Sequence, residues 1–476
     1  MNRVFFFISI FFCCIVNISY AQLSADLVDY SKLLLSADST TQFKIGSIKL
    51  SGNKRTKSYI VFREIPFKEG NYFFPKALTK QLELAKDQIM NTTLFIDVTV
   101  YVSNLVSGVV TINVDVKERW YLFPLPYFKL VDRNFNQWWS DQSGNLERVN
   151  YGLKFFHNNV SGRNDKLNID LVNGYNQQVA FGYNQPFADK SLKHGFSVNF
   201  IYSRQREMNY NTLDNKQAFI KLPEFIREFQ RSSFTYSYRP DSKYRFSARI
   251  GYTRDNVNDT ILKLNPEYFP TANSSLNFFD AAASLQYYAV DYIPFPKKGF
   301  MYEVNLYNRG FSSKMNMLSL SVEATNAIKL SKNWFIQLHN VGVVRMNDDQ
   351  PYYNRGLMGY GDFYLRGMES YVIDGTAGFI SNTTLYRKLF TYVFRPPFIK
   401  TKTHDKIPFT FYLKAFGDMG YTYNKQQNIK SYTNSFLPTT GIGLDIVSIY
   451  DFVFRIEYSF NQYGDKGFAF RTRGDF

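Results

Sequence analysis

Phe452-Val453-Phe454-Arg455-Ile456-Glu457-Tyr458 decides the fold. Phe452, Phe454, Ile456 and Tyr458 recur at every second position, with the full charges of Arg455 and Glu457 between the later ones, which is the two-residue period of a strand with one apolar and one wet face. The pattern repeats upstream. Phe196, Val198, Phe200 and Tyr202 alternate with Ser197 and Asn199, and Phe246, Ala248, Ile250 and Tyr252 with Arg245, Ser247 and Arg249. Phe300, Tyr302, Val304 and Leu306 alternate with Glu303 and Asn305. A soluble β-sandwich reads the same way over a single strand, with its apolar face turned inward. Repetition from Tyr121 onward without a helical interlude favours a barrel with lipid outside and water inside. Closure also removes the edges that such strands would otherwise expose.

Runs of this kind centre near Leu122, Tyr151, Leu167, Val179, Phe196, Phe234, Phe246 and Phe279, then near Phe300, Leu318, Trp334, Phe379, Phe411, Gly441, Phe452 and Phe468. They predict roughly sixteen strands, an even number as an antiparallel barrel needs. Composition agrees: 36 Tyr and 47 Phe stand against 4 Trp, and tyrosine and phenylalanine favour strands and membrane girdles. The net charge of +16 is scattered singly among aromatics, which suits a solvated face or lipid headgroups better than nucleic acid. No window after Ala21 is apolar enough for a spanning helix, so any insertion must be by a barrel.

The N-terminus reads as a cleaved secretory signal over residues 1–21, with Arg3, an apolar run from Val4 to Val16, and Ser19-Tyr20-Ala21 before Gln22. Cys13 and Cys14, the only cysteines, fall inside it, so the mature chain is expected to have no disulfide and no thiolate chemistry. Residues 22–42 form a lead-in. From Phe43 a strand runs to the turn at Ser51-Gly52-Asn53, a short helix is expected over Arg55 to Ile65, and Pro75 opens a second helix with Leu78, Leu82, Ala85 and Ile89 on one face. Strands follow at Leu94 to Val102 and Val109 to Val116. This β-α-α-β-β order makes a small two-layer α+β unit. The expected fold is thus mainly β, with one α+β domain at 43–118 and an antiparallel transmembrane β-barrel of ~16 strands at 119–476.

Two segments form a candidate lock. Tyr364-Leu365-Arg366-Gly367-Met368 lies in a Gly/Tyr-rich loop, and Phe416-Gly417-Asp418-Met419-Gly420 lies in an alternating strand. Phe409, Phe411, Leu413 and Ala415 form that strand's apolar face, which turns Thr410, Tyr412, Lys414 and Asp418 inward. Arg366 is either a solvated surface residue or the partner of Asp418. Pro124 and Pro126 in the first barrel strand cannot donate to a ladder, and side by side at i and i+2 they deplete a single edge. That edge faces either the last strand, where Gly474 weakens the seam further, or the rim. Catalytic patterns such as H-E-x-x-H, G-x-S-x-G, a P-loop or C-x-x-C are absent. We expect no enzyme, no cofactor and no metal.

Ile48-Lys-Leu-Ser-Gly52-Asn53, Thr56, Ile60, Arg63-Glu64, Gly70, Leu94-Phe95 and Val114-Asp-Val116 resemble a POTRA domain, the periplasmic module of Omp85 proteins. The loop motif is similar to the V-R-G-F/Y of that superfamily, the strand motif to its F-x-D-x-G, and the stretch from Phe468 through Phe476 to its terminal strand. The resemblance implies an inner loop held by Arg366, Gly367, Gly417, Asp418 and Gly420, and a seam at Pro124, Pro126, Gly474 and Phe476. In many members an inward glutamate stands where this chain has Thr384, so Arg366 is expected to have one carboxylate partner. The resemblance also implies a POTRA edge, around Gly52, Asn53, Leu94 and Phe95, that takes client strands by addition to the sheet. With that module in the periplasm, connections after even-numbered strands should be short. Arg239 to Lys243, Leu330 to Asn333 and Ser448 to Asp451 are short, whereas Lys388 to Lys406 is long. The implied function is assembly or translocation of unfolded outer-membrane or secreted proteins. A gated or passive channel, or a secretion pore for one substrate, is the alternative. Expected partners are those clients and the bilayer, with periplasmic lipoproteins as candidate accessories.

Overall fold

A computed structural model describes residues 40–130, 148–312, 315–347, 349–361, 363–396, 406–425 and 432–473. The expected signal segment, most of the expected lead-in, Gly474 and Phe476 lie outside the described residues.

The N-terminal unit contains β1 (Phe43–Ser51), α1 (Ser58–Phe62), β2 (Tyr72–Phe73), α2 (Pro75–Met90), β3 (Phe95–Val106) and β4 (Val109–Glu118). The expected order holds, with a two-residue strand added between the helices and a first helix shorter than the pattern suggested. Proline opens α2, where its fixed φ suits the first turn and its missing N–H costs nothing. Leu78, Leu82, Ala85 and Ile89 are all buried against the sheet. Its order is β2-β1-β4-β3, with β1 parallel to β4. Ser107 and Gly108 both take positive φ (49° and 76°), the geometry of the two-residue turn that lets β3 fold directly onto β4.

Sixteen strands form the second sheet. They are β5 (Leu122–Leu130), β6 (Val149–Asn158), β7 (Lys166–Gly174), β8 (Gln177–Gln185) and β9 (His194–Gln205). After a separate hairpin of β10 (Glu207–Leu213) and β11 (Lys216–Lys221) come β12 (Arg227–Tyr238), β13 (Tyr244–Val257), β14 (Ser275–Val290) and β15 (Gly299–Arg309). Then follow β16 (Met317–Lys329) and β17 (Trp334–Arg345). A small loop ladder of β18 (Gly356–Met358) and β19 (Ile373–Asp374) precedes β20 (Ala377–Phe394), β21 (Ile407–Tyr423), β22 (Phe436–Val447), β23 (Val453–Asn461) and β24 (Lys466–Arg473). All neighbours are antiparallel, and the order runs from β24 to β5. The expected strand count stands.

The sheet is inside-out relative to a soluble core. Phe246, Ile250, Phe279, Leu306, Leu413 and Ile442 are exposed on one face. The other face carries pairs such as Arg249–Asp280 (2.5 Å) and Gln286–Glu303 (2.8 Å). An apolar exterior around a polar interior is the arrangement lipid demands. The sheet also curls back on itself, because the start of β5 lies on the β22–β23 turn. The Trp120 amide donates to Tyr450 Oη at 3.1 Å, and the Phe123 ring meets Tyr450 edge-on at 5.6 Å.

Candidate functional site

Asp418 sits on β21 between lipid-facing Gly417 and Met419, so strand parity alone aims it into the lumen. Arg366 reaches it from the loop between β17 and β20. Arg366 Nε donates to Asp418 Oδ2 at 2.7 Å and Nη2 to Oδ1 at 2.6 Å, a bidentate pair. The Asp418 side chain is fully buried. Nη2 also donates to Thr384 Oγ1 at 3.0 Å, and the guanidinium lies 3.9 Å from the centre of the Phe416 ring. A hydroxyl thus stands where the missing glutamate was expected. A second carboxylate does arrive, from a strand the motif did not indicate: Glu457 on β23, 3.6 Å from Arg366. Arg366 therefore faces two carboxylates, not one.

Glu457 leads to a wider network. Lys414, with no exposed side-chain surface, lies 2.5 Å from Asp445 and 2.6 Å from Glu457. Arg455 approaches Asp445 at 3.6 Å, and Tyr386 donates to it at 3.2 Å. Arg471 on β24 holds Glu457 at 2.7 Å, packs over Tyr364, and pairs with Glu369 of the loop. Arg366, Lys414, Arg455 and Arg471 balance Asp418, Asp445, Glu457 and Glu369. The buried members of such a cluster are tolerated away from bulk water because each charge has its opposite. The sequence signal for Lys414 and Glu457 was their inward parity, which does not by itself say that they meet.

The glycines divide. Gly367 takes φ +84°, a left-handed turn at the loop tip, and its carbonyl accepts from Asn461 Nδ2 at 2.9 Å. At Gly420 an added Cβ would come within 3.0 Å of Met358 and 3.3 Å of Leu365, so its smallness lets the loop core approach β21. Gly417 has no part in the lock, because it faces outward and a Cβ added there would meet nothing within 4 Å. At the root of the loop, Arg345 gathers the carbonyls of Asn354, Arg355, Gly356 and Gly375. Sequence reasoning missed that clasp.

The lumen is entered from the other end as well. The β14–β15 connection folds inward and sets Phe295, 2% exposed, against Phe335, Tyr386 and Tyr412 at 5.8, 5.4 and 4.9 Å between ring centres. Between this turn and the loop remains a cavity of about 980 Å³, lined by Glu303, Glu323, Arg366, Lys414 and Glu457 among others.

The seam can be read from hydrogen-bond parity. The Asn158 amide donates to the Tyr121 carbonyl, so odd-numbered residues of the first strand address β6 and even-numbered ones address the opposite edge. Pro124 and Pro126 both lie on that opposite edge. It is the edge at the end of the strand order, and among the described residues no ladder joins it to β24.

The POTRA-like unit is docked on the barrel turns. Arg119 forms a bidentate pair with Asp451 at 2.7 and 2.8 Å. Buried Glu64 joins Arg63 and Arg239 at 2.9 and 2.8 Å. Asn91 donates to the Val290 carbonyl and accepts from the Ile293 amide. Burial, and then the nearby charge of Asp291, pushes the Asp87 carboxyl up to about 6. Leu94 and Phe95 do not offer side chains to a client, since at 1% and 0% exposure they belong to the core of this unit. Gly52 is spent on packing, with a Cβ position only 1.9 Å from the Val116 carbonyl, and Asn53 bonds Thr56 and Ser58. The long open edge is the outer side of β3, which pairs only with β4 among the described residues, whereas the opposite edge is partly covered by the two-residue β2.

Fold and docked module together define a sixteen-stranded antiparallel β-barrel that carries one POTRA-like α+β unit at its N-terminal side. Residues 43–119 match the POTRA family, described as surface antigen variable number repeat. Over 91% of this chain and 84% of that one, the fold is similar to that of BamA from Haemophilus ducreyi lacking POTRA domains 1–3, with a TM-score of 0.50 and 16% identity. CdiB from Acinetobacter baumannii (13% identity, 90% and 73% covered, TM-score 0.45) and CdiB from Escherichia coli (11%, 96% and 92%, 0.47) are also similar. No curated protein matches the sequence.

Proposed function

We propose that this protein assembles or translocates polypeptides at the bacterial outer membrane, with its POTRA domain in the periplasm. The observation that carries the reading is a pair of open strand edges: the outer side of β3, and the first barrel strand, stripped of two donors by Pro124 and Pro126. An unfolded client supplies backbone donors and acceptors, and both edges can take it by strand addition without any catalytic side chain. No nucleotide site is required, and no enzymatic step is proposed.

Depletion of the protein, followed by a census of outer-membrane and exported proteins, tests the role. Broad loss of barrels supports assembly, and loss of one exported protein supports dedicated secretion. An unchanged census would leave the channel reading, which the cavity of about 980 Å³ alone favours. A photoreactive residue at Thr99 on β3 should capture clients at least tenfold better than one at Lys86 on α2; equal yields would remove strand addition at this edge.

The seam has its own test. Leu122→Cys with Thr472→Cys puts thiols on the outward faces of β5 and β24, near the POTRA end. Oxidative locking should reduce client insertion at least tenfold, and a reductant should restore it. Complete cross-linking with unchanged activity would show that the seam need not open.

A further inference from the structure

Strands β20 and β21 run on where their neighbours stop. β17 pairs with β20 only as far as Trp334 opposite Arg387, and the Lys388 amide then donates to the Asn333 carbonyl. β22 pairs with β21 only as far as Val447 opposite Thr410. Beyond these points β20 has no strand on its outer side from residue 389 on, and residues 392–394 and 407–409 continue as a two-stranded ribbon at the POTRA end, joined by ladder pairing only to each other among the described residues, with Ser448 Oγ donating to the Pro408 carbonyl. A bulge at Leu389 marks its root, and bulges bend the strand that carries them.

The outward face of the ribbon is aromatic. Phe390 pairs with Phe411, Tyr392 with Phe409 and Phe394 with Ile407, and the rings of Phe390 and Phe411 stack at 4.7 Å. This row continues the lipid-facing row of Leu413, Met419 and Tyr421 without a break. An apolar band about 25 Å tall, crossed at about 40° and 3.3 Å per residue, takes about ten residues, yet β21 has 17. Counting from the tyrosines at its far end, the band is used up near Leu413. That is the level of Trp334, whose ring carries the Arg387 guanidinium at 5.4 Å, an aromatic–basic pair typical of a membrane boundary. The ribbon therefore reaches into the headgroup layer. Its cations are Arg387, Lys388, Arg395 and Lys406, with no carboxylate in 387–396 or 406–411.

We propose that this ribbon is an interfacial anchor, with Phe390, Tyr392 and Phe394 at the acyl boundary and its four cations on anionic headgroups of the POTRA-side leaflet. A bare apolar ribbon with free edges is an aggregation site in water. Continuity with the lipid face of the barrel, and a charge sign that fits phosphate, assign the cover to lipid and not to protein. The anchor would hold the wall away from both edges of the seam, at the strand that carries Asp418.

Nitroxide labels test this in the full chain, reconstituted in vesicles, with Cys13→Ser and Cys14→Ser as background. Labels at Phe394→Cys and Tyr392→Cys are compared with a lipid reference at Leu413→Cys and an aqueous reference at Lys68→Cys. In phosphatidylethanolamine–phosphatidylglycerol vesicles, the oxygen-to-nickel-complex accessibility ratio at 392 and 394 should match that at 413 and exceed that at 68 several-fold. In phosphatidylcholine alone it should fall at least twofold, as it should when Arg387, Lys388, Arg395 and Lys406 are all changed to Gln. A ratio equal to the aqueous reference in both lipids overturns the proposal, as does dipolar broadening that grows with protein density, which would mean a second copy. Lipid contact indifferent to headgroup charge overturns the phosphate pairing.

Discussion

Arg366→Ala should release the inner loop and abolish activity while leaving the sixteen-strand barrel folded. The substitution strands Asp418, whose side chain has no exposed surface, at a cost of about 3–5 kcal/mol for a broken buried pair. That is enough to free the loop tip around Arg366, while the loop root stays clasped by Arg345 and the wall of sixteen strands stays folded. Proteolysis in residues 346–376 should rise at least tenfold, with the heat-resistant barrel band retained on a gel. Arg366→Lys should rescue little, since an ammonium cannot replace the fork that spans both Asp418 oxygens and Thr384. Arg366→Met with Asp418→Leu should recover stability without recovering activity. If Arg366→Ala leaves both loop protection and activity intact, the lock has no role.

Lys414→Met should be the most destabilising single change in the barrel. Lys414 is the direct partner of both Asp445 and Glu457, at 2.5 and 2.6 Å, and all three side chains are essentially buried. Its loss leaves two carboxylates facing each other with only Arg455 and the already engaged Arg366 and Arg471 nearby. We expect the upper part of the about 3–5 kcal/mol range, read as a lowered urea midpoint of the folded barrel in detergent. Glu457→Gln in the Lys414→Met background should recover about half of the loss, because it removes one of the two stranded charges. A Lys414→Met variant as stable as the parent would show that the network is solvated and structurally neutral. The two experiments differ in kind, since Arg366 reports on the loop and Lys414 on the wall it leans on.

These networks bear on how an opening would be transmitted. The loop touches β24 directly through Glu369–Arg471, and Glu457 ties the same arginine to the Arg366 lock. On the opposite rim, Tyr292 bonds Asp451, which Arg119 holds, and three residues on Phe295 occupies the lumen. The inserted turn is thus fastened to the junction between module and barrel, at the Arg119–Asp451 pair.

Much of this was legible in the sequence because it depends on local periodicity. Two-residue alternation in stretches such as Phe452 to Tyr458 specifies a strand and which face meets lipid, whatever its neighbours are. The spacing of Leu78, Leu82, Ala85 and Ile89 specifies the buried stripe of α2 in the same way. Parity turned Asp418 inward before any partner was known. What remained hidden depends on register between strands far apart in the chain. Thr384, Lys414, Asp445 and Glu457 lie on four strands, and only their pairing offsets join them into one network with Arg366. Leu94 and Phe95 looked like an accessible edge because strand position does not reveal which face a helix covers. The overlong connection after Lys388 was visible as a length, yet its meaning needed the points where β17 and β22 stop. Period and polarity are properties of a segment, so the sequence alone determined the strands, their faces and the module. Proximity is a property of closure, so the charge network, the inserted turn and the projecting ribbon were decided only when the sheet curled round and fixed its register.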